Sequence, residues 1–159
     1  MTERKRILTW RRSVVAACAL LAAAQFGRCD MSNPPVDRAE AVEQSPLVSR
    51  DVAELLARSC KDCHSNETRW PAYSTMAPLS WVIWYDVDRA RRMFNLSTWT
   101  RYSPSRARVW LGSVCDAVQT GRMPLPRYVW MHPDAALDEH DRRMLCDWAE
   151  AVDMTSGQH

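Results

Sequence analysis

The sequence predicts an all-α fold, and two observations support this prediction. Apolar residues recur at helical spacing near residues 52–56 and within 80–94, 103–118 and 137–152. No alternating strand pattern precedes the most informative motif, at residues 60–64. The 159 residues are enough for one domain with an N-terminal tail.

Cys60, Cys63 and His64 form a Cys-x-x-Cys-His motif, which is the attachment signature of a c-type haem. One helical turn with this spacing can bring two thiols to the two haem vinyl groups, and the adjacent His ligates the iron. A zinc site would need further ligands at matching spacing, and a thioredoxin-like redox pair would need a βαβ surround. Neither pattern accompanies the motif, so we expect one covalent haem c with His64 as an iron ligand.

Residues 1–24 have the pattern of a secretory signal. Basic residues precede an apolar run from Val14 to Ala24, and the run ends in an Ala-x-Ala cleavage site. The alternative is an uncleaved membrane anchor, although spanning a bilayer needs about 20 apolar residues. In either case we expect an exported, periplasmic protein, held at the inner membrane if the segment is an anchor. The basic residues are Arg4, Lys5, Arg6, Arg11 and Arg12.

Residues 25–48 are polar and contain three prolines, a composition that predicts an extended linker without a core of its own. We expect the haem domain to occupy residues 49–159. Its first helix is predicted to begin at a cap formed by Ser49 or Asp51. An amphipathic helix that runs into the haem motif is how class I cytochromes c begin. The apolar positions of this helix are Val52, Leu55 and Leu56.

Three further helices are predicted over residues 80–94, 103–118 and 137–152, with a loop at 98–102. Gly121 is expected to end the second of them. The last helix is expected to pack on the first helix of the domain. The predicted apolar faces are Trp81, Trp84, Tyr85 and Val87, then Val109, Trp110, Val114 and Val118, then Met144, Leu145, Trp148, Ala149 and Val152.

The segment Gly121–Pro126 must form a loop, because helix does not persist across its two prolines. It carries Met123, and a Met-Pro loop before the last helix is where class I cytochromes c place the sixth iron ligand. A thioether is a weak ligand that binds best from an already ordered loop, so we expect Met123 to be the sixth ligand. Met76, His132 and an open sixth position are the alternatives, while Met93 is expected to have a core or surface role.

Two segments carry a resemblance to a known family. Cys60–Pro71 reads CKDCHSNETRWP, and Gly121–Pro126 reads GRMPLP. These segments resemble the bacterial haem-binding domain family of small exported cytochrome-like proteins, and the resemblance runs from about Gln25 to Val152. The resemblance implies a covalently bound haem c on a mostly helical domain, without a defined physiological reaction. Cys29, Cys115 and Cys146 are not part of the family pattern.

Several other residues are candidates for the haem surroundings. Arg69 is expected either near the haem propionates or free on the surface. A loop carbonyl at Pro71 or Pro78 is expected to accept the second N–H of the axial histidine. Cys115 and Cys146 lie on separate predicted helices and form either a disulfide or two buried thiols.

These features predict an all-α, class I cytochrome c-like domain around one haem and its iron. One-electron transfer through a His/Met-ligated haem is the expected function, with redox proteins as partners. A haem-based ligand sensor, a peroxidase-like module with an open or displaceable sixth ligand, and a structural haem module of a larger complex are the alternatives. The net charge is only +2 and no basic run is present, so nucleic acid is not an expected partner.

Overall fold

The computed structural model describes residues 2–27 and 29–156, and this part of the chain contains helices and no strand. The all-α prediction is therefore confirmed. The side chains of residues 2–5, 8 and 153–156 lie outside the description, and these include the predicted n-region residues Arg4 and Lys5.

Seven α-helices occur in the described residues. They are α1 (Thr2–Ala24), α2 (Arg50–Ser59), α3 (Lys61–His64), α4 (Leu79–Met93), α5 (Pro104–Gln119), α6 (Pro126–Met131) and α7 (Glu139–Ser156). Short 3-10 helices cover Arg38–Glu40, Val42–Gln44, Ala72–Thr75, Leu96–Arg101 and Pro133–Ala135. The expected loop at 98–102 is thus largely a 3-10 helix.

The chain divides into two compact units. The N-terminal unit comprises Met1–Ser32 and Trp70–Asp86, and the C-terminal unit comprises Asn33–Arg69 and Val87–His159. The haem motif and the Met123 loop both belong to the C-terminal unit, which therefore contains the site.

Within the N-terminal unit, the side chains of α1 are mostly exposed, and the residues after it are held by hydrogen bonds. The Gln25 carboxamide donates to the carbonyl of Ala77 at 3.1 Å and accepts from its N–H at 3.1 Å. The Trp81 indole N–H donates to the carbonyl of Gly27 at 2.7 Å. None of the described helices is both long enough and apolar enough to cross a membrane. Cleavage of the N-terminal segment stays a prediction.

The core of the C-terminal unit joins α2, α5 and α7. Ser49 caps α2 as predicted, because its Oγ accepts the Val52 N–H at 3.2 Å. The predicted face of α7 is buried from Leu145 to Val152, but α7 packs mainly on α5 and less on α2. The expected pairing of α7 with α2, the first helix of the haem domain, is therefore present but is smaller than the contact of α7 with α5. The largest fully buried apolar side chains in the described residues are Val42, Leu56, Leu96, Leu111 and Leu145.

Residues 33–48 differ from the expected extended linker. They belong to the C-terminal unit and contain two 3-10 turns. Val42 is completely buried in the main core, and the Glu40 carboxylate accepts from Arg101 at 2.7 Å. A buried valine, ion pairs such as Glu40–Arg101 and hydrogen bonds together dock this polar segment, which composition alone did not reveal.

The apolar faces of α4 and α5 also differ from the predicted ones. Trp81 and Tyr85 are exposed, whereas Val87 is buried. Residues 81–85 are all apolar or aromatic, so helical spacing could not select one face of α4. On α5, Val109 is 67% exposed because it lies away from both the α7 contact and the cavity described below.

Candidate functional site

The haem motif lies on one tight turn. Cys60 ends α2 and caps α3, and its carbonyl accepts the N–H groups of Cys63 at 3.2 Å and His64 at 2.9 Å. This turn holds two half-buried thiols and one imidazole within five residues. The local geometry is therefore the one that the motif predicts.

The imidazole of His64 is oriented by a backbone group. Its Nδ1 lies 3.0 Å from the carbonyl oxygen of Phe94. Because a carbonyl only accepts, Nδ1 carries the proton and Nε2 keeps its lone pair for a metal. Burial lowers the pKa of His64, although its hydrogen bonds to the Phe94 and Ala90 backbone act in the opposite direction. The neutral, metal-binding form is thus favoured.

The carbonyl that orients His64 was not predicted. It belongs to Phe94, just after α4, and not to the loop at Pro71 or Pro78. The Phe94 ring also lies 5.5 Å from the His64 ring. No sequence signal marks such an acceptor, because any residue supplies a carbonyl.

A mostly apolar cavity opens beside His64. Its empty volume is about 720 Å³, including the part open to solvent. Cys60, His64 and Met123 all line it, whereas Cys63 lies on the same turn but is not among the lining residues. The apolar walls are Leu56, Met93, Phe94, Trp110, Val114, Ala117, Val118, Pro124 and Leu137.

The groups around this cavity fit a haem. Ser59 and Trp110 line it, and Ser59 Oγ and Trp110 Nε1 are both buried without a hydrogen-bond partner in the described part of the chain. Such orphaned polar atoms can hold the polar edge of a bound group. Burial raises the pKa of the Cys60 thiol to about 12, with a smaller contribution from Cys63. No cluster of three metal-binding His, Cys, Asp or Glu side chains occurs in the described residues.

Met123 is held on the turn that follows α5. Gly121 has a φ of +67°, and the Ala117 carbonyl accepts the N–H groups of both Arg122 at 2.9 Å and Met123 at 3.0 Å. The Met123 residue is 37% exposed and lines the cavity. The structure therefore brings Met123 and His64 to one cavity, and Gly121 ends α5 as predicted.

The other candidate ligands are placed differently. Met76 belongs to the N-terminal unit and is exposed. The His132 ring stacks on Tyr128 at 4.3 Å, and its Nδ1 donates to the Tyr128 carbonyl at 3.2 Å. Met93, which we expected in a core or surface role, lines the cavity from the last turn of α4. The spacing of apolar residues along α4 does not single out position 93.

A comparison with known families identifies the family of this chain. The model of the haem-binding domain family matches residues 19–151. The chain belongs to this haem-binding domain family. Neither a curated protein nor a solved structure matched the chain significantly. The protein is therefore a haem protein, and the matched region includes the haem motif, the cavity and the Met123 loop.

In the haem-binding domain, Asp62 within the motif is tied to two other segments. The Arg69 guanidinium donates to both carboxylate oxygens at 3.0 Å, and the Tyr128 hydroxyl donates at 2.7 Å. Burial opposes ionisation of Asp62, but these hydrogen bonds outweigh it and lower the pKa of Asp62. Arg69 is thus not free on the surface. It could bind the haem propionates only if its ion pair with Asp62 broke.

Lys61, the other residue between the two cysteines, is also paired. Its ammonium group donates to Glu43 at 2.8 Å and to Glu67 at 2.7 Å, and its side chain is 18% exposed. Burial acts to lower the pKa of Lys61, but the two hydrogen bonds outweigh it and raise the pKa. The motif is therefore held by ion pairs on both of its intervening residues.

The polar segment after His64 is fixed by an arginine from the last turn of α4. Arg91 donates to the Ser65 carbonyl at 2.8 Å, to Thr68 Oγ1 at 2.8 Å and to Asn33 Oδ1 at 2.7 Å. Burial lowers the pKa of Arg91. The sequence pattern indicates only a basic helix end at this position, but within the C-terminal unit Arg91 holds the loop that follows the haem motif.

Proposed function

We propose that Cys60 and Cys63 would hold one haem c by thioether bonds and that His64 and Met123 would bind its iron. The domain then transfers one electron at a time. The observation that carries this proposal is the shared cavity: His64 and Met123 both line it, and the His64 Nδ1 is already engaged by Phe94.

The residues of this chain have separate roles in that function. The Phe94 carbonyl orients the imidazole and supports its basicity. The Ala117 carbonyl and Gly121 hold Met123 on a formed turn, which lowers the entropic cost of binding through a thioether. The apolar walls limit water, and this tunes the reduction potential. When bound, the haem supplies an iron that alternates between Fe(III) and Fe(II).

A substitution at Met123 tests the proposed ligand set. Met123→Ala should abolish the weak red-edge Met-to-Fe(III) absorption, lower the reduction potential and let the ferrous protein bind CO. Met131→Ala is the matched control, because Met131 has similar exposure but does not line the cavity. If Met123→Ala keeps the band and excludes CO, another residue is the ligand, and Met93→Ala is the next variant.

The proposal includes an exported location. The basic residues and apolar run of α1 support a signal or anchor function, and c-type haem is attached outside the cytoplasm. Recovery of a mature chain that begins at Gln25 in the periplasmic fraction would support cleavage. Recovery only in the membrane fraction, with Met1 intact, would show an anchor instead. Redox proteins are the proposed partners.

A second candidate function is ligand sensing or peroxidase-like chemistry at a displaceable sixth position. The observation that favours it is the 37% exposure of Met123, since an exposed thioether is displaced more readily than a buried one. The same spectrum discriminates the two functions. A wild-type protein that ignores CO in the ferrous state and cyanide in the ferric state supports the electron carrier, and one that binds them supports the second candidate.

A further inference from the structure

The disulfide of the C-terminal unit lies in an open groove between α5 and α7. Cys115 and Cys146 are bonded to each other, and both line this groove with Arg108, Gly112 and Glu150. Cys115 is partly exposed, whereas Cys146 is only 8% exposed. A reagent in the groove therefore reaches the Cys115 sulfur more easily than the Cys146 sulfur.

The same end of α5 supports Met123. Ala117, two residues after Cys115, accepts the Met123 N–H at 3.0 Å and also lines the haem cavity. Val114 and Val118 on either side of it line the cavity as well. The last turn of α5 is thus joined to α7 by the disulfide and to the Met123 loop by a backbone hydrogen bond.

We propose that the Cys115–Cys146 disulfide is a thiol-exchange site for a dithiol reductant, and that its reduction loosens Met123 at the haem cavity. This inference rests on the proposed ligation by Met123. Reduction removes the covalent tie between α5 and α7, so α5, whose end supports the Met123 turn, is then held on α7 by noncovalent contacts alone. The fraction of domains with an open sixth position then rises, and exogenous ligands bind faster.

The dithiol reductant supplies the two electrons that reduce the protein disulfide. A thiolate of the dithiol attacks Cys115 Sγ, a mixed disulfide forms, and the Cys146 thiolate leaves and takes a proton. The second thiol of the reductant then releases Cys115 as a thiol, so the protein gains two thiols and the reductant becomes a disulfide. Gln119 Nε2 lies 3.6 Å from Cys146 Sγ, where its N–H can donate to the departing sulfur.

The test uses the full-length holoprotein without denaturant. Free thiols, including Cys18 and Cys29, are first blocked with N-ethylmaleimide, and the iron is reduced with ascorbate in every sample. Dithiothreitol is then added, and two new alkylatable thiols at Cys115 and Cys146 are expected by peptide mass spectrometry. CO binding to the reduced-disulfide protein should be about tenfold faster or more, in proportion to the larger open fraction.

Variants separate this effect from general loss of stability and from side reactions of the reagent. The double variant Cys115→Ala/Cys146→Ala should bind CO fast without dithiothreitol and should not respond to it. Leu55→Ala, which removes a buried side chain of α2 away from the groove, is the control and should retain slow CO binding.

Three other outcomes would each overturn the inference. A disulfide that dithiothreitol reduces only after urea is added shows that the groove is not an exchange site. Slow CO binding before and after complete reduction overturns the link to Met123 and leaves the proposed ligand set intact. Fast CO binding by the untreated protein overturns the ligand set and this inference together.

Discussion

The hydrogen bond between Tyr128 and Asp62 connects α6, the helix after the Met123 loop, to a residue that lies between the two cysteines of the haem motif. Tyr128→Phe removes the hydroxyl that donates to Asp62 at 2.7 Å and leaves the ring in place. A hydrogen bond to a charged group contributes about 1.5–3 kcal/mol. Asp62 is 13% exposed and keeps both Arg69 hydrogen bonds, so no carboxylate oxygen is orphaned. We therefore expect a loss near the lower end, about 1–2 kcal/mol of unfolding free energy.

Urea unfolding of the holoprotein at pH 7, followed by far-UV circular dichroism, measures this loss. With a slope of about 2 kcal/mol/M, the midpoint should fall by about 0.5–1 M urea. A double-mutant cycle with Asp62→Ala, which removes the acceptor, isolates the pair, and most of the effect of Tyr128→Phe should vanish in that background. An equal loss in both backgrounds would show that the Tyr128 hydroxyl stabilises the fold through another partner.

Three further predictions concern the same unit. Replacing both Cys115 and Cys146 by Ala should lower the unfolding free energy, measured in urea, by about 3.7 kcal/mol for a loop of 31 residues; an unchanged midpoint would show that the disulfide does not form. Lys61→Met should lower the unfolding free energy by about 1–2 kcal/mol at pH 7, because the carboxylates of Glu43 and Glu67 lose the half-buried cation that pairs with them. That loss should become smaller above about pH 10.4, which is the ordinary pKa of lysine. Because folding raises the pKa of Lys61, its ion pairs stabilise the fold fully below this pH and lose their effect as the pH rises further. Leu111→Ala should cost about 2–5 kcal/mol in the same urea assay because this side chain is fully buried, and a loss under about 1 kcal/mol would contradict the assigned core.

The parts of the site that sequence predicted are those with local determinants. The spacing of Cys60, Cys63 and His64 requires a single turn, and the prolines after Gly121 require a loop that carries Met123. The cap at Ser49 and the buried face of α7 likewise follow from neighbouring residues alone. Local patterns therefore located the two ends of the cavity and the main helices.

The remaining parts depend on contacts that are distant in sequence. The acceptor for His64 is a carbonyl 30 residues away, and backbone groups have no sequence signature. Arg91 has the sequence position of a helix-end cation, and its hydrogen bonds to the loop after the motif arise only in the folded unit. Docking of the 33–48 segment through Val42 has the same origin, because a single buried valine leaves no periodic pattern.

The most direct test of covalent haem attachment is the mass of the intact protein after production with a c-type haem maturation system. Under denaturing conditions the polypeptide should retain the mass of one haem, with Cys60 and Cys63 both modified in the peptide map. The Cys60→Ala/Cys63→Ala variant should have the mass of the polypeptide alone. Haem that is extracted by acid acetone from the wild-type protein, leaving two unmodified thiols, would contradict the central claim.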